Sequence, residues 1–171
     1  MRLFSALLPP TGAVEHLADW LAGHTADLPT ELRWEPVERW HITLGFFGDG
    51  DDPVNRTKWL RRRAEGRPAP TVRLVGAGTF PGVLWVGVTA TDERLLAQLA
   101  RAAGAGRRGF TPHLTLARWR SGWPEKDALT NAFAGYTGPW FTPDAVSLMR
   151  SETGASGLTY TTVERLPLAP A

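Results

Sequence analysis

His41-Ile42-Thr43-Leu44 and His113-Leu114-Thr115-Leu116 are two copies of one pattern, His-x-Thr-Leu, each inside a short apolar stretch that predicts a β-strand. Because side chains alternate between the faces of a strand, the histidine and threonine of each copy point one way and the two aliphatic residues point the other. A single such histidine would most simply be a structural residue. Two of the four histidines in the chain share the pattern, however, and this duplication favours a functional site.

Composition limits the class of protein. The chain has 171 residues, of which 43% are hydrophobic, and we expect residues 1–171 to form one domain of two intertwined lobes, active as a monomer. The net charge of +2 does not predict a tight, non-specific nucleic-acid binder. The absence of cysteine excludes disulfides and thiolate catalysis and fits a cytoplasmic location. The apolar segment 1–10 is too short to cross a bilayer, so no membrane partner is predicted.

Periodicity predicts strands and helices along the whole chain. Strands are expected at residues 2–8, 32–34, 40–47, 71–76, 83–88, 112–119, 145–150 and 158–166, and helices at 12–25, 53–65, 92–103 and 124–133. A glycine-rich turn at 78–82 should join two of the strands. Each tetrad strand is followed by a loop and a helix, and this repetition favours two pseudo-symmetric lobes that arose by duplication.

Two imidazoles presented by two strands suit in-line displacement at phosphorus. A neutral imidazole can deprotonate an attacking water while an imidazolium on the opposite side protonates the departing oxygen, and histidine titrates in the pH range where both forms exist. The hydroxyls of Thr43 and Thr115 can donate hydrogen bonds to the non-bridging phosphate oxygens. This scheme requires no metal and no cofactor.

Other catalytic arrangements match the sequence less well. Two histidines supply only two metal ligands, and neither tetrad contains the carboxylate or third histidine that zinc and iron sites usually need. A serine triad lacks its G-x-S-x-G turn, and the glycines match neither a P-loop nor a dinucleotide fingerprint. The residues alone leave open which histidine is the acid and which is the base.

Four stretches, from the first strand to the chain's end, carry a family resemblance. They are Arg2-Leu3-Phe4-Ser5-Ala6-Leu7, Trp40-His41-Ile42-Thr43-Leu44-Gly45-Phe46-Phe47-Gly48, Phe110-Thr111-Pro112-His113-Leu114-Thr115-Leu116-Ala117-Arg118, and the segment from Ser147 to Tyr160. The chain resembles the 2H phosphoesterases, and among them the LigT-like bacterial RNA 2',3'-cyclic phosphodiesterases. The resemblance implies an α+β, bilobal fold in which two pseudo-symmetric lobes of mainly antiparallel sheet, with outer helices, enclose a central cleft.

The same resemblance implies an activity and a set of site residues. The substrate would be RNA with a 2',3'-cyclic phosphate end, or a cyclic nucleotide, opened by water to a 2'-phosphomonoester, with reversible 2'-5' RNA ligation as a second reaction. His41 would be the proton donor and His113 the proton acceptor. Thr43 and Thr115 match the positions that contact phosphate in the family. Arg118 is a weaker candidate for phosphate binding, since a surface ion pair would equally explain it.

A nucleobase needs a flat apolar partner, and four rings near the motifs are candidates for stacking on it: Phe80, Phe110, Trp40 and Tyr160. Most aromatic residues of the chain must instead belong to the core. His16 and His24 lack the threonine partner and are expected at the surface of the first helix.

Two other functions remain open at this point. One is a binding module that holds an RNA end or a nucleotide in the same phosphate cradle without chemistry. The other is a different esterase or ligase that uses the same pair of histidines.

Overall fold

The computed structural model describes residues 1–26, 28–120 and 126–170. Within these ranges the strands are β1 (Arg2–Leu7), β2 (Arg33–Trp34), β3 (Ile42–Asp49), β4 (Val72–Phe80), β5 (Val83–Ala90), β6 (His113–Arg118), β7 (Ala145–Gly154) and β8 (Gly157–Pro167). The helices are α1 (Thr11–His24), α2 (Pro53–Arg63), α3 (Glu93–Ala102) and α4 (Lys126–Ala132), with a short 3-10 turn at Val37–Arg39.

The described strands form one antiparallel sheet in the order β4-β5-β6-β3-β1-β7-β8, with β2 paired to the side of β6. The pairing of β3 with β6 consists of a single residue pair, Ile42 with Leu114. This pair joins two half-sheets. The first half-sheet contains β3, β1, β7 and β8 and carries the first tetrad; the second half-sheet contains β6, β5, β4 and β2 and carries the second.

The core lies on one side of the sheet, where the helices pack. Alternate residues of β5, Leu84, Val86 and Val88, point into it together with Leu96 and Leu99 of α3. Fully burying one such aliphatic side chain stabilises the fold by about 1.5–3 kcal/mol. Because the core takes every second side chain of the strands, the remaining side chains face the other side of the sheet.

Acidic caps fix where two of the helices begin. The Asp92 carboxylate accepts hydrogen bonds from the backbone N–H groups of Arg94 (3.0 Å) and Leu95 (3.2 Å) at the start of α3. At α2 the Asp52 side chain accepts from Val54 N–H, with Pro53 in the first turn. Each such cap is worth about 1 kcal/mol relative to alanine. The caps also set where the loops after β3 and β5 must end.

The predicted element types agree with the structure, and most differences are in the boundaries. The strand before the glycine-rich turn is longer than predicted, since β4 runs to Phe80 and only Pro81 and Gly82 separate it from β5. The hairpin pairing with Val83 holds Phe80 in the strand. The expected start of the fourth helix at residue 124 lies outside the described residues. Within the residues described, no helix is long and apolar enough to cross a membrane.

Candidate active site

The two tetrad histidines are held in the same way. Nδ1 of His41 donates to the carbonyl oxygen of Arg39 at 2.7 Å, and Nδ1 of His113 donates to that of Thr111 at 2.8 Å. In both cases the acceptor is the carbonyl two residues upstream. Because a carbonyl oxygen only accepts, the proton of the neutral ring is fixed on Nδ1, and Nε2 is the nitrogen left for acid–base work.

The strand register places the two polar pairs side by side. With Ile42 opposite Leu114 in an antiparallel ladder, the neighbouring positions set Thr43 beside His113 and His41 beside Thr115. The arrangement has local two-fold symmetry about the Ile42–Leu114 pair. Both central aliphatic residues are fully buried, so all four polar side chains lie on the opposite side of the sheet, which we call the site face.

Each tetrad strand then contains a β-bulge at the same position. The register shifts at Leu44 in the pairing of β3 with β1, and at Leu116 in the pairing of β6 with β5. In both copies the burial sequence from the histidine onward is partly buried, buried, partly buried, buried, buried, exposed. A bulge inserts one residue and changes which face the following side chains point to.

The bulges bring a second pair of equivalent residues to the site face. Without them, Phe46 and Arg118 would point into the core together with the tetrad leucines. Phe46 instead lies opposite Phe4 on β1 and is 61% exposed, and Arg118 lies opposite Val83 on β5 and is also exposed. The first half-sheet thus presents an aromatic ring where the second presents a guanidinium.

Each histidine also lies between two aromatic rings. The ring centroid of His41 is 4.8 Å from that of Phe4 and 5.4 Å from that of Tyr160. The centroid of His113 is 4.9 Å from that of Phe80, in an edge-to-face contact. Trp85 lies 5.8 Å from the same histidine. These contacts restrict the rotation of both imidazoles.

Phe4 and Trp85 were not predicted as site residues. Strand alternation separates Phe4 from the core-facing Leu3 and Leu7, but only the pairing of β1 with β3 shows that it lies beside a histidine. For Trp85 the residue in the sequence that could have indicated its position is Gly78, its partner on β4. A Cβ on Gly78 would lie 2.2 Å from the indole ring. The missing side chain leaves the space that the tryptophan fills.

A buried serine anchors the first tetrad strand. The hydroxyl of Ser5, fully buried, donates to the carbonyl oxygen of Ala103 at 2.6 Å and accepts from Gly45 N–H at 2.9 Å. Gly45 lies so close to the end of α3 that a Cβ there would be 2.4 Å from the same carbonyl oxygen. Ser5 and Gly45 therefore fix the β3 bulge against α3, directly after the first tetrad.

Glu35 connects several charged groups near His41. Its carboxylate binds the Arg118 guanidinium at 2.9 Å and that of Arg39 at 3.5 Å. The surface ion pair considered for Arg118 is therefore present, and it holds the side chain at the site. Burial lowers the pKa of His41; the hydrogen bond with Arg39 opposes this, and the nearby His113 adds to it. Burial, with the Glu35 charge, raises the pKa of Tyr160.

The predicted stacking rings have different positions in the structure. Phe80 and Tyr160 lie at the site, each against one histidine. The prediction for Trp40 is wrong: its ring is only 7% exposed because it belongs to the core, and its indole N–H donates to the Glu35 carbonyl oxygen. Phe110 packs against the core beside α3, and in the described part of the chain no ring contact joins it to a histidine.

The other two histidines lie away from the tetrads, as expected. Both are exposed on α1: His16 contacts the Tyr136 hydroxyl at 3.1 Å, and the ring of His24 stacks on that of Trp20. Burial raises the pKa of Tyr136 to about 12. Among residues 1–26, 28–120 and 126–170, no three histidine, aspartate or glutamate side chains are grouped closely enough to hold a metal ion.

Comparisons with known proteins identify the fold and the family. The family model of the 2'-5' RNA ligase superfamily matches residues 9–155. Structures of Escherichia coli LigT complexed with ATP and with 3'-AMP match at 27% and 25% identity, with TM-scores of 0.72 and 0.73; both alignments cover 98% of this chain and 97% of LigT. The TT0787 protein of Thermus thermophilus has the same fold (TM-score 0.73, 24% identity, 98% of this chain and 97% of that one). A search of curated protein sequences found no match.

The match to the family model extends over most of the chain, and the structural matches extend over nearly all of it. They confirm the predicted α+β, LigT-like fold. The chain belongs to the 2'-5' RNA ligase superfamily, the 2H phosphoesterases.

Proposed function

We propose that the protein hydrolyses 2',3'-cyclic phosphate ends of RNA or nucleotides to 2'-phosphomonoesters, by acid–base catalysis between His41 and His113. The observation that carries this proposal is the matched pair of imidazoles on the site face. Each keeps its Nδ1 on a backbone carbonyl, has no Nε2 hydrogen bond to the part of the chain that the structure describes, and has a threonine of the other strand beside it.

In the proposed reaction a water molecule attacks the phosphorus and the P–O3' bond breaks. His113 takes the proton of the water through Nε2. His41, as an imidazolium, gives its Nε2 proton to the departing O3', so that the products are a 2'-phosphomonoester and a free 3'-hydroxyl. Burial of His41 lowers its pKa, which makes its imidazolium a stronger acid for this step and also reduces the fraction of the ring that is protonated near neutral pH. In 2'-5' ligation the 5'-hydroxyl of a second RNA end would attack in place of the water.

In this proposal three polar groups would stabilise the phosphate. The side chains of Thr43 and Thr115 lie beside the histidines, and their hydroxyls can donate to the two non-bridging oxygens. Arg118 adds a positive charge whose position is set by Glu35. Removing a donor of this kind from a transition state commonly costs about 100-fold in kcat. LigT has been solved in complex with 3'-AMP, which supports a nucleotide as a ligand of this protein.

We place the nucleobase against Phe46. This ring is the most exposed large hydrophobic residue on the described part of the site face and lies opposite Phe4, which contacts His41. A base that covers it would remove apolar surface from water on both partners, and base–aromatic stacking contributes about 1–3 kcal/mol. Tyr160 and Phe80 flank the histidines and would then act as walls of the site.

The direct test is incubation of the purified protein with nucleoside 2',3'-cyclic phosphates and with a short RNA carrying that end, in the presence of EDTA. Separation of 2'- from 3'-phosphate products shows the regiochemistry. We expect selective formation of 2'-phosphate. Saturable binding without turnover would contradict the proposal and favour a binding module, and loss of activity in EDTA that one metal restores would favour a metal enzyme.

A further inference from the structure

The site face of the second half-sheet extends well beyond His113. On β5, Gly87 lies opposite His113, and on β4, Val75 lies opposite Gly87. Arg73, two residues from Val75 with no register shift between them, therefore points to the same side of the sheet as the histidine. With strands about 4.8 Å apart and a rise of about 3.4 Å per residue, its backbone is roughly 12 Å from that of His113.

A further segment continues this face past β4. The backbone groups of Val72 and Phe141 exchange two hydrogen bonds of 2.8 Å each, so residues 140–142 run antiparallel along the outer edge of β4. Phe141 points into the core, and its neighbour Trp140 therefore points to the site face beside Arg73. The indole of Trp140 is 45% exposed.

Arg73 and Trp140 contact each other at this edge. The guanidinium carbon of Arg73 lies 4.4 Å from the centroid of the Trp140 ring. In the described part of the chain no carboxylate lies within ion-pair distance of Arg73, and its buried Nε has no hydrogen-bond partner. The carboxylate of Glu93, at the start of α3, instead accepts from the Thr89 hydroxyl and from Ala90 N–H. Among the described residues, the arginine thus has no acidic partner that neutralises its charge.

Hydroxyl groups surround the pair. Thr71 and Thr142 lie two residues further along the same face, with their hydroxyl oxygens 2.8 Å apart. Thr89 lies opposite Arg73 on β5. A cation, threonine hydroxyls that are at least partly exposed, and an exposed indole on one surface are groups that can bind the backbone and the bases of single-stranded nucleic acid.

We propose that Arg73 and Trp140 form a subsite for an upstream nucleotide of single-stranded RNA, with Arg73 on a backbone phosphate and Trp140 stacked on a base. This inference rests on the proposed function, since it assumes that the cyclic phosphate end lies between His41 and His113. A strand that leaves this position across β5 reaches Arg73 after about three or four nucleotides if they stack at about 3.4 Å each, and after fewer if the strand is extended. The preferred substrate is then an RNA end rather than a free cyclic nucleotide.

The test compares two substrates in the same variants. One is a nucleoside 2',3'-cyclic phosphate, which is too short to reach Arg73, and the other is a single-stranded oligoribonucleotide of about eight residues with the same end. For Arg73→Gln and Trp140→Ala we expect kcat/KM on the oligonucleotide to fall about tenfold, and kcat/KM on the mononucleotide to stay within about twofold. Arg73→Lys should recover part of the loss because it retains the charge. Arg94→Gln, an exposed arginine on α3, is the matched control.

Salt dependence gives a second readout. If Arg73 contacts one phosphate of a single strand, Arg73→Gln should reduce the slope of log binding constant against log salt by about 0.7. Equal losses on both substrates would mean that Arg73 only supports the fold, and no loss on either would mean that there is no subsite; both results overturn the proposal.

The subsite can still be tested if the proposed catalytic activity is not found. If the unmodified protein hydrolyses neither substrate, binding of a fluorescent oligoribonucleotide with a 2'-phosphate end still tests the inference by anisotropy. Weaker binding by both variants, with Arg94→Gln unchanged, would support an RNA surface on a non-catalytic protein. Unchanged binding in both variants would overturn it.

Discussion

The two tetrad strands, β3 and β6, share a backbone design and the histidine and threonine of the tetrad, and they differ in the side chains that follow the bulge. Both hold a histidine through Nδ1, both bury the following aliphatic residue, and both bulge two residues after it. They differ at the two positions after the bulge, where β3 has Gly45 and Phe46 and β6 has Ala117 and Arg118. A symmetric frame thus supports two half-sites that are suited to different parts of one substrate.

The prediction with the largest expected effect concerns the two histidines and their separate roles. Alanine at His41 or His113 should lower kcat on a 2',3'-cyclic phosphate by about a thousandfold, because each removes one proton transfer. A substrate with sulfur in place of the bridging O3' needs no proton donor, since a thiol has a pKa of about 8.5 and leaves as the thiolate.

On the sulfur substrate His41→Ala should therefore recover most of its activity, while His113→Ala should stay inactive. Rates on the two substrates, with thermal unfolding as the control for folding, measure this. If His113→Ala recovered activity on the sulfur substrate instead, His113 would be the proton donor and His41 the proton acceptor.

The next effect concerns stability at the bulges. Gly45→Ala places a Cβ 2.4 Å from the Ala103 carbonyl oxygen and should destabilise the fold by about 3 kcal/mol, because neither backbone can move away easily. The matched change Ala117→Gly removes one buried methyl group and should cost about 1 kcal/mol. Urea unfolding measures both free energies; similar values for the two variants would show that the bulges are packed alike.

The next prediction compares Phe46 with Arg118 and has a smaller expected effect. Phe46→Ala should raise KM for a cyclic nucleotide about tenfold through lost stacking, and should leave KM for ribose 2',3'-cyclic phosphate, which has no base, unchanged. Arg118→Ala should weaken the binding of both substrates alike, because the arginine acts on the phosphate that both contain. Steady-state kinetics on the two substrates measure both effects. An equal rise in KM for both substrates in Phe46→Ala would contradict the placement of the base on Phe46.

The smallest expected effect is on stability against pH. Burial lowers the folded-state pKa of His41 below its ordinary value of 6.5, so the folded state binds fewer protons than the unfolded state. This contribution is fully present above that value and is lost as the pH falls through 6.5 toward the lowered pKa. The loss in Tm between about pH 7.5 and pH 5 should be smaller in His41→Asn than in the unmodified protein, by a few degrees at most.

His24→Asn, on the exposed end of α1, controls for the removal of an imidazole elsewhere. An identical pH dependence in His41→Asn and in the unmodified protein would show that His41 titrates alike in both states.

Sequence reasoning found the parts of the site that depend on local pattern. Alternation in the tetrads puts each histidine with its threonine, and helix caps such as Asp92 mark where helices begin. It failed where the answer depends on pairing between distant strands. Trp40 precedes the first histidine directly and was expected to stack on a base, but its ring is used to fill the core.

The sequence by itself determined that two histidines and two threonines share one face, because a strand alternates with a period of two, and the resemblance of its motifs placed it in a phosphoesterase family. The tertiary structure alone decided how those faces meet and what surrounds them. The bulges that turn Phe46 and Arg118 toward the site, the contact of Phe4 with His41, and the position of Arg73 on the same face as His113 all depend on the register of long-range pairs. A shift of one residue in such a pair reverses the face of every side chain that follows, and no local pattern encodes it.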